Sequence, residues 1–246
     1  MRALEPTPGY RMNVLIRRRP GVTRDELVAN WFANHMPAVV KSMAGAALAG
    51  QPHAHRYIAT LFDAPAQAAP AWDGIAQLWW KINLPKPKEP HGTKPADTFQ
   101  QKAMPYMPWM VREHVVIDGA LAVTPNTLNE PFPFTRSGFH KLTYLLKTKP
   151  GADRDAFVRH YLEVHAPGSV GALTRAGCAR YVVAFSVDPV NEEFGAHTEL
   201  WMPSAEAVAK AQSEMKPDGI ERFLDAEKSL LFTSGTEMVG IPGAGL

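Results

Sequence analysis

Apolar positions along this chain alternate with polar ones in two rhythms, a period of two and a period near four, and the same order of rhythms occurs twice. Met12 to Ile16 is an apolar run ended by arginines and then Pro20-Gly21, the pattern of a strand running into a turn. Thr23, followed three residues later by Glu26, forms a capping box, so a helix starts there. Leu27, Trp31 and His35 are then spaced by four, which places the histidine in line with side chains that pack on a sheet. Pro37 disfavours α geometry at the residue before it and predicts that His35 ends the helix or stands beside a kink. Arg56 to Phe62 and Gly74 to Trp80 read as two more strands, and Val111 to Ile117 as a closing one.

The series then returns. Val14 to Val40 lies over Tyr144 to Val170 without a gap, and nine of the 27 pairs are identical, among them Pro20/Pro150, Gly21/Gly151, Arg24/Arg154, Asp25/Asp155, His35/His165 and Pro37/Pro167. Asp153 is the cap of the second helix, whose face is Phe157, Tyr161 and His165. Strands follow at Arg180 to Val187 and Ala196 to Met202, then a helix capped by Ser204, then a closing strand at Thr236 to Ile241. Arg56-Tyr57 matches Arg180-Tyr181, Leu78-Trp79 matches Leu200-Trp201, and Glu113 matches Glu237. A repeat this long is a duplicated domain. Strand, helix, strand, strand, helix, strand is the split βαβ of a ferredoxin-like domain, so the expected class is α+β, with domains at 9–121 and 133–241. Helices cover one face of such a sheet, and stacking two copies covers the other. The first copy carries an extra Pro- and Lys-rich stretch, Leu84 to Pro95, that reads as an exposed loop, with a lid over a pocket as the alternative.

The run Lys141 to Phe157, with Tyr161 and His165-Ala166-Pro167, resembles the EthD-like family of the dimeric α/β-barrel superfamily. Ala179 to Tyr181, Trp72 to Trp79 and Phe194 to Trp201 are similar to it as well. The resemblance implies that two ferredoxin-like domains form, within one chain, the barrel that most members form by homodimerisation. It also implies a pocket between the sheet and the helices of one half. On activity it implies a range: cofactor-free cyclases, dehydratases, lactone isomerases, quinone-forming oxygenases, haem proteins and an accessory protein of a degradation pathway.

Composition narrows the partners. The chain has 246 residues, 46% of them hydrophobic, enough for two modest cores. Lys and Arg exceed Asp and Glu by only two, and the longest basic block is Arg17 to Arg19, so nucleic acid is not an expected partner. The single cysteine, Cys178, makes neither an internal disulfide nor a Cys-based metal cluster. No apolar run has the length of a signal segment or a membrane span, and a cytoplasmic protein, monomer or homodimer, is expected. If the halves stack, a chain ending near Leu121, or one starting near Pro133, exposes an apolar sheet face and should self-associate.

Candidate chemistry concentrates in the second copy. Where the first has Tyr10, Ile75 and Gln77, the second has His140, His197 and Glu199, on strands expected to wall the pocket. Neutral imidazole near pH 7 takes and returns a proton, which suits abstraction beside a carbonyl or elimination of water. The expected catalytic set is therefore His165, His197 and His140, with Glu199 orienting an imidazole and His35 as the first copy's equivalent. A structural role for His35 and His165, bracing the helix, is the competing reading. Tyr144, Tyr161, Trp201, Trp31, Trp79 and Asp73 are the candidate substrate contacts, although the tryptophans read first as core and Asp73 as a turn residue. His53-x-His55 lacks a third ligand nearby and reads as a loop, so no metal site is expected. No G-x-G-x-x-G, P-loop, G-x-S-x-G, H-E-x-x-H or haem-attachment motif occurs, and no cofactor is expected. The leading reading is a cofactor-independent lyase, dehydratase or isomerase acting on a hydrophobic, aromatic or polycyclic small molecule. The alternatives are a cofactor-free oxygenase that forms a quinone, and a non-catalytic ligand-binding accessory protein.

Overall fold

The computed structural model describes residues 4–64, 71–119, 127–129, 132–133 and 138–243, so the expected domain end at Leu121 falls outside the described residues. In chain order the elements are β1 (Tyr10–Ile16), α1 (Arg24–Asn30), α2 (Met36–Leu48), β2 (Ala54–Leu61), β3 (Gly74–Trp80), α3 (Thr98–Lys102) and β4 (Trp109–Asp118). Two short strands follow, β5 (Thr127–Asn129) and β6 (Phe132–Pro133). The second series is β7 (His140–Leu146), α4 (Arg154–His160), α5 (Ala166–Arg175), β8 (Arg180–Ser186), β9 (Ala196–Met202), α6 (Ala205–Glu214), β10 (Leu230–Ser234) and β11 (Thr236–Ile241).

The helix starts are those the sequence announces. The Thr23 hydroxyl accepts from the Glu26 N–H while the Glu26 carboxylate accepts from the Thr23 N–H at 2.9 Å, satisfying two otherwise orphaned donors. Asp153 and Ser204 cap α4 and α6 through the N–H groups of Ala156 and Ala207. Of the two outcomes expected at the prolines, a helix end or an irregularity beside each histidine, the structure has the second. Instead of ending the helix, Pro37 and Pro167 lie in the first turns of α2 and α5, and the chain reaches them through a π turn at Trp31–His35 and at Tyr161–His165. There the N–H of Met36 bonds back to the carbonyl of Trp31, and that of Ala166 to Tyr161, five residues earlier. Opening the ladder by one residue accommodates a proline that lacks an N–H and would otherwise press on the carbonyl four residues back.

The compact units are not the two sequence repeats. In one unit β1, β3, β2 and β11 run antiparallel in that order. In the other the order is β7, β9, β8 and β4, with β10 beside β7. Each unit thus takes three strands and its helices from one repeat and its closing strand from the other. The apolar alternation of Val111 to Ile117 and Thr236 to Ile241 shows that these segments pair, but pattern alone does not name the partner. The expected boundaries at 9–121 and 133–241 are those read from the sequence repeat, and the exchange of β4 and β11 cuts across them.

Each unit is α+β, with helices on one face of its sheet. In the N-terminal unit Leu27, Trp31 and Met36 bury against Val14, Ile16, Tyr57, Leu78 and Trp80. In the C-terminal unit Phe157, Tyr161 and Leu173 bury against Leu142, Tyr181, Val183, Leu200 and Met202. Burial of side chains of this size is worth about 1.5–3 kcal/mol each. The second helices differ. α6 has ten residues, whereas α3 has five and follows the Pro-rich stretch, where Pro85, Pro87, Pro90 and Pro95 leave no room for a regular helix. That stretch is mostly exposed, with His91 paired to Tyr106 and the Gly92 carbonyl accepting from Arg19.

Candidate active site in the C-terminal unit

Between the sheet and the helices of the C-terminal unit lies a cavity of about 270 Å³. Its floor is the helix-facing side of β7 and β9, from which Tyr144, Leu146, Thr198, Leu200 and Met202 project. Tyr161, His165, Ser169 and Leu173 come from the π turn and α5, and Val208, Gln212 and Met215 from α6 and its end. The walls are therefore mainly apolar, with hydroxyls and one imidazole among them.

Two polar groupings stand out. Tyr161 and Thr198 share a hydrogen bond of 2.5 Å between their hydroxyls, and the Tyr181 hydroxyl donates to Tyr161 at 3.2 Å. Burial pushes the Tyr161 phenol up to about 12 and Tyr181 well above its ordinary range. Burial raises Tyr144 as well. All three are therefore neutral near pH 7 and act there as hydrogen-bonding groups rather than as bases. The second grouping is His165, whose Nδ1 lies 2.7 Å from Asp218 Oδ2. Burial works to raise the Asp218 carboxyl, but the Ile220 N–H and the hydrogen bonds and charge of His165, then His160, outweigh it and hold the group below its usual value. An ionised carboxylate only accepts, so His165 Nδ1 carries the proton of this bond, and in the neutral ring the lone pair is then on Nε2. The His165 ring stands edge-on to Tyr161, with centroids 4.8 Å apart.

Not all of the expected residues meet here. His165, Tyr144 and Tyr161 line the cavity. His140 shares their sheet face, since it pairs with Met202 as Tyr144 pairs with Thr198, but it is not part of the lining. His197, Glu199 and Trp201 lie on the opposite face, in register with Leu145, Thr143 and Lys141. Cross-strand partners share a face and successive residues alternate, so a strand that offers Thr198 and Leu200 to the cavity must turn His197 and Glu199 away. The expected convergence of His197 and Glu199 with the cavity histidines does not occur. On their own face Glu199 is fully buried, 2.7 Å from Lys141 Nζ and 3.0 Å from His197 Nε2, and the lysine lies 4.5 Å from the Trp201 ring centre.

The first-copy candidates are also placed. His35 Nδ1 is 2.6 Å from Asp97 Oδ2, the same pairing as His165 with Asp218, but its ring packs on Phe99 at 4.5 Å. Trp31 is fully buried in the N-terminal core and donates to Tyr57. Trp79 is buried with the guanidinium groups of Arg11 and Arg56 at 5.4 and 5.2 Å. Asp73 accepts from the Arg18 N–H and lies 3.2 Å from the Arg18 guanidinium, tying the chain before β3 to the end of β1. Asp218, Thr198, Tyr181 and Ser169 were not anticipated. Asp218 left a trace, because an aspartate follows each histidine downstream, but the Pro-rich insertion changes the separation from 53 to 62 residues. Among the described residues no group of three or more His, Cys, Asp or Glu side chains could hold a metal ion. The cavity lies just below the range of about 300–1,000 Å³ usual for small-molecule sites. No helix of the described residues is long and apolar enough to cross a membrane.

Comparison with known proteins agrees with the resemblance read from the sequence. Residues 149–227 match the EthD domain, a stretch that holds the π turn, Asp218 and the cavity lining other than Tyr144 and Leu146. A comparison with curated proteins finds no match. Among solved structures, an anthrone oxidase-like protein is 9% identical, with 100% of this chain and 99% of that one covered and a TM-score of 0.48. A chlorite dismutase variant from Candidatus Nitrospira defluvii is 9% identical over 92% and 90% of the two chains, with a TM-score of 0.48. A heme-binding protein from Thermus thermophilus is 10% identical over 94% of each, with a TM-score of 0.43. Nothing about chemistry transfers at such identities.

Proposed function

We propose that this protein is a cofactor-independent lyase, dehydratase or isomerase that binds a compact hydrophobic small molecule, aromatic or polycyclic, in the cavity of its C-terminal unit. His165 is the base, Asp218 holds it, and the hydroxyls of Tyr161 and Thr198 hold a substrate oxygen. The observation that carries this reading is the 2.7 Å hydrogen bond between His165 Nδ1 and Asp218 at the wall of an apolar cavity. An imidazole so held presents Nε2 as an acceptor, can store a proton as imidazolium beside the carboxylate, and can give it back to a leaving group or to a neighbouring carbon. The apolar surroundings strengthen each of these interactions over their value in water.

The test is solvent deuterium incorporation or product formation across a panel of neutral one- to three-ring ketones, lactones and hydroxy compounds. His165→Ala should lower turnover by roughly 10²–10⁴, the usual contribution of a positioned base. A His197→Ala variant that remains folded should keep turnover, because that ring is on the other sheet face. Turnover that survives His165→Ala overturns the assignment. Oxygen uptake in step with turnover would favour the quinone-forming alternative. The apolar lining also suits a binding protein without chemistry, for which ligands bind tightly and no product forms at any enzyme concentration.

A further inference from the structure

Asp218 is held from more than one side. Besides His165, its Oδ1 accepts from the Ile220 N–H at 2.9 Å and lies 3.5 Å from His160 Nε2. His160 is the last residue of α4, and its side chain is 9% exposed. Its other nitrogen, Nδ1, faces Arg222 Nη2 at 3.2 Å. A guanidinium only donates, so Nδ1 of His160 must accept, and its proton is confined to Nε2, on the side of Asp218. Both partners rest on one ring: the His160 and Phe223 centroids are 5.6 Å apart, and the Arg222 guanidinium carbon lies 4.6 Å from the centre of Phe223. Gly219, at a φ of 87°, makes the turn that brings Asp218 and Ile220 to the same point.

Among the described residues the N-terminal unit shows no such outer layer. Asn30 occupies the place of His160 in the repeat, and it bonds back to the Glu26 carbonyl on its own helix. Asp97 accepts from the Gln100 N–H and from His35. The additional pair, His160 and Arg222, belongs to the unit whose dyad borders the cavity.

We propose that His160, locked by Arg222, is a positioning residue for the candidate dyad. It fixes the rotation of the Asp218 carboxylate, and through it the Nδ1–H tautomer of His165, and so decides which ring nitrogen is left as the acceptor. This rests on His165 being the functional imidazole of the cavity, yet its test requires no substrate. Neutral imidazoles with the proton on Nδ1 and on Nε2 give distinct nitrogen-15 shifts and cross-peak patterns.

In the full-length protein near pH 8, His165 should show the Nδ1–H pattern and His160 the Nε2–H pattern. Finding the His160 proton on Nδ1 overturns the proposal at once. His160→Phe keeps the ring contact with Phe223 and removes the donor, and it should shift His165 to a mixture of both tautomers. His160→Gln restores an N–H donor and should return His165 to the single Nδ1–H pattern. If His160→Phe leaves His165 unchanged, or if His160→Gln disturbs it as much as His160→Phe does, His160 is only a packing residue. Arg222→Met, which keeps an apolar stem over Phe223, guards against an unfolded His160 variant. It should release His160 into mixed tautomers, and an unaltered His160 signal counts against the lock. Loss of turnover in His165→Ala speaks to the function itself, whereas these signals speak only to who holds the dyad, so the two can fail separately.

Discussion

His35 and His165 each present Nδ1 to an aspartate, at 2.6 Å from Asp97 in one unit and 2.7 Å from Asp218 in the other, yet their surroundings diverge. Around His35 the neighbouring side chains are larger. Trp31 stands where the other repeat has Tyr161, and Phe99, two residues beyond Asp97, stands where Ile220 lies two beyond Asp218; Trp31 and Phe99 are 5.5 Å apart. Around His165 the smaller side chains leave the cavity. The shared pair ties the segment before the last strand to the π turn in both repeats, so a His–Asp pair by itself does not mark a site. Among the described residues the units differ in the size of these neighbouring side chains and in the outer support that His160 gives Asp218.

The largest test breaks the comparison by separating the repeats. A chain ending near residue 119 lacks β11, the partner of β2, and the complementary chain from residue 138 lacks β4, the partner of β8. Each should fail to unfold cooperatively in urea, and mixing the two should restore a cooperative transition. A well-dispersed, cooperatively unfolding single half would show that the strand exchange is dispensable.

Next in size is the sheet face opposite the cavity. Glu199 is buried between Lys141 and His197, while its counterpart Gln77 faces Asn13 at 3.5 Å. Lys141→Met should destabilise by about 3–5 kcal/mol, because the carboxylate loses its cation without water to replace it. Gln77→Leu removes a neutral amide and should cost about 1 kcal/mol. Equal losses in chemical denaturation would mean that the two faces are not electrostatically different. Trp31→Ala should also cost about 3–5 kcal/mol through the cavity it leaves. Added indole should recover part of that loss, turning the filled unit into an imitation of the open one.

The smallest expected effect is a pH dependence. The Asp218 carboxyl is depressed by the Ile220 N–H and the two histidines despite its burial. Its contribution is present above the unfolded carboxyl value of about 3.9 and is lost as pH falls through the lower folded value. The stability gap between the wild type and Asp218→Asn should therefore narrow as pH drops below about 4. A gap that widened on acidification would contradict the direction of the shift.

Much of the fold was readable from residues alone. Thr23 with Glu26, Asp153 and Ser204 start helices where caps start them, and the strands at Gly74 to Trp80 and Ala196 to Met202 agree with their apolar runs. Strand partners were not readable, because the alternation of Val111 to Ile117 fits either sheet. The site was half legible. His165, Tyr144 and Tyr161 follow from helix and strand phase, but the phase of β9 relative to β7 depends on register, which turned His197 and Glu199 to the other face. Asp218 sits in a turn with no periodicity, and only the fold brings it to a histidine 53 residues earlier.

The π turn gives the C-terminal unit a mechanical property of its own. An ordinary helix advances by about 100° per residue, so one residue gained or lost changes the azimuth of everything beyond it. A π turn absorbs one extra residue without that change, so Tyr161 and His165, four apart, share the face that lines the cavity. Deleting Glu163 would return the segment to plain helical geometry and press the ring of Pro167 on the carbonyl four residues back. The extra residue in one helical turn is thus what lets a proline stand two residues beyond the candidate base.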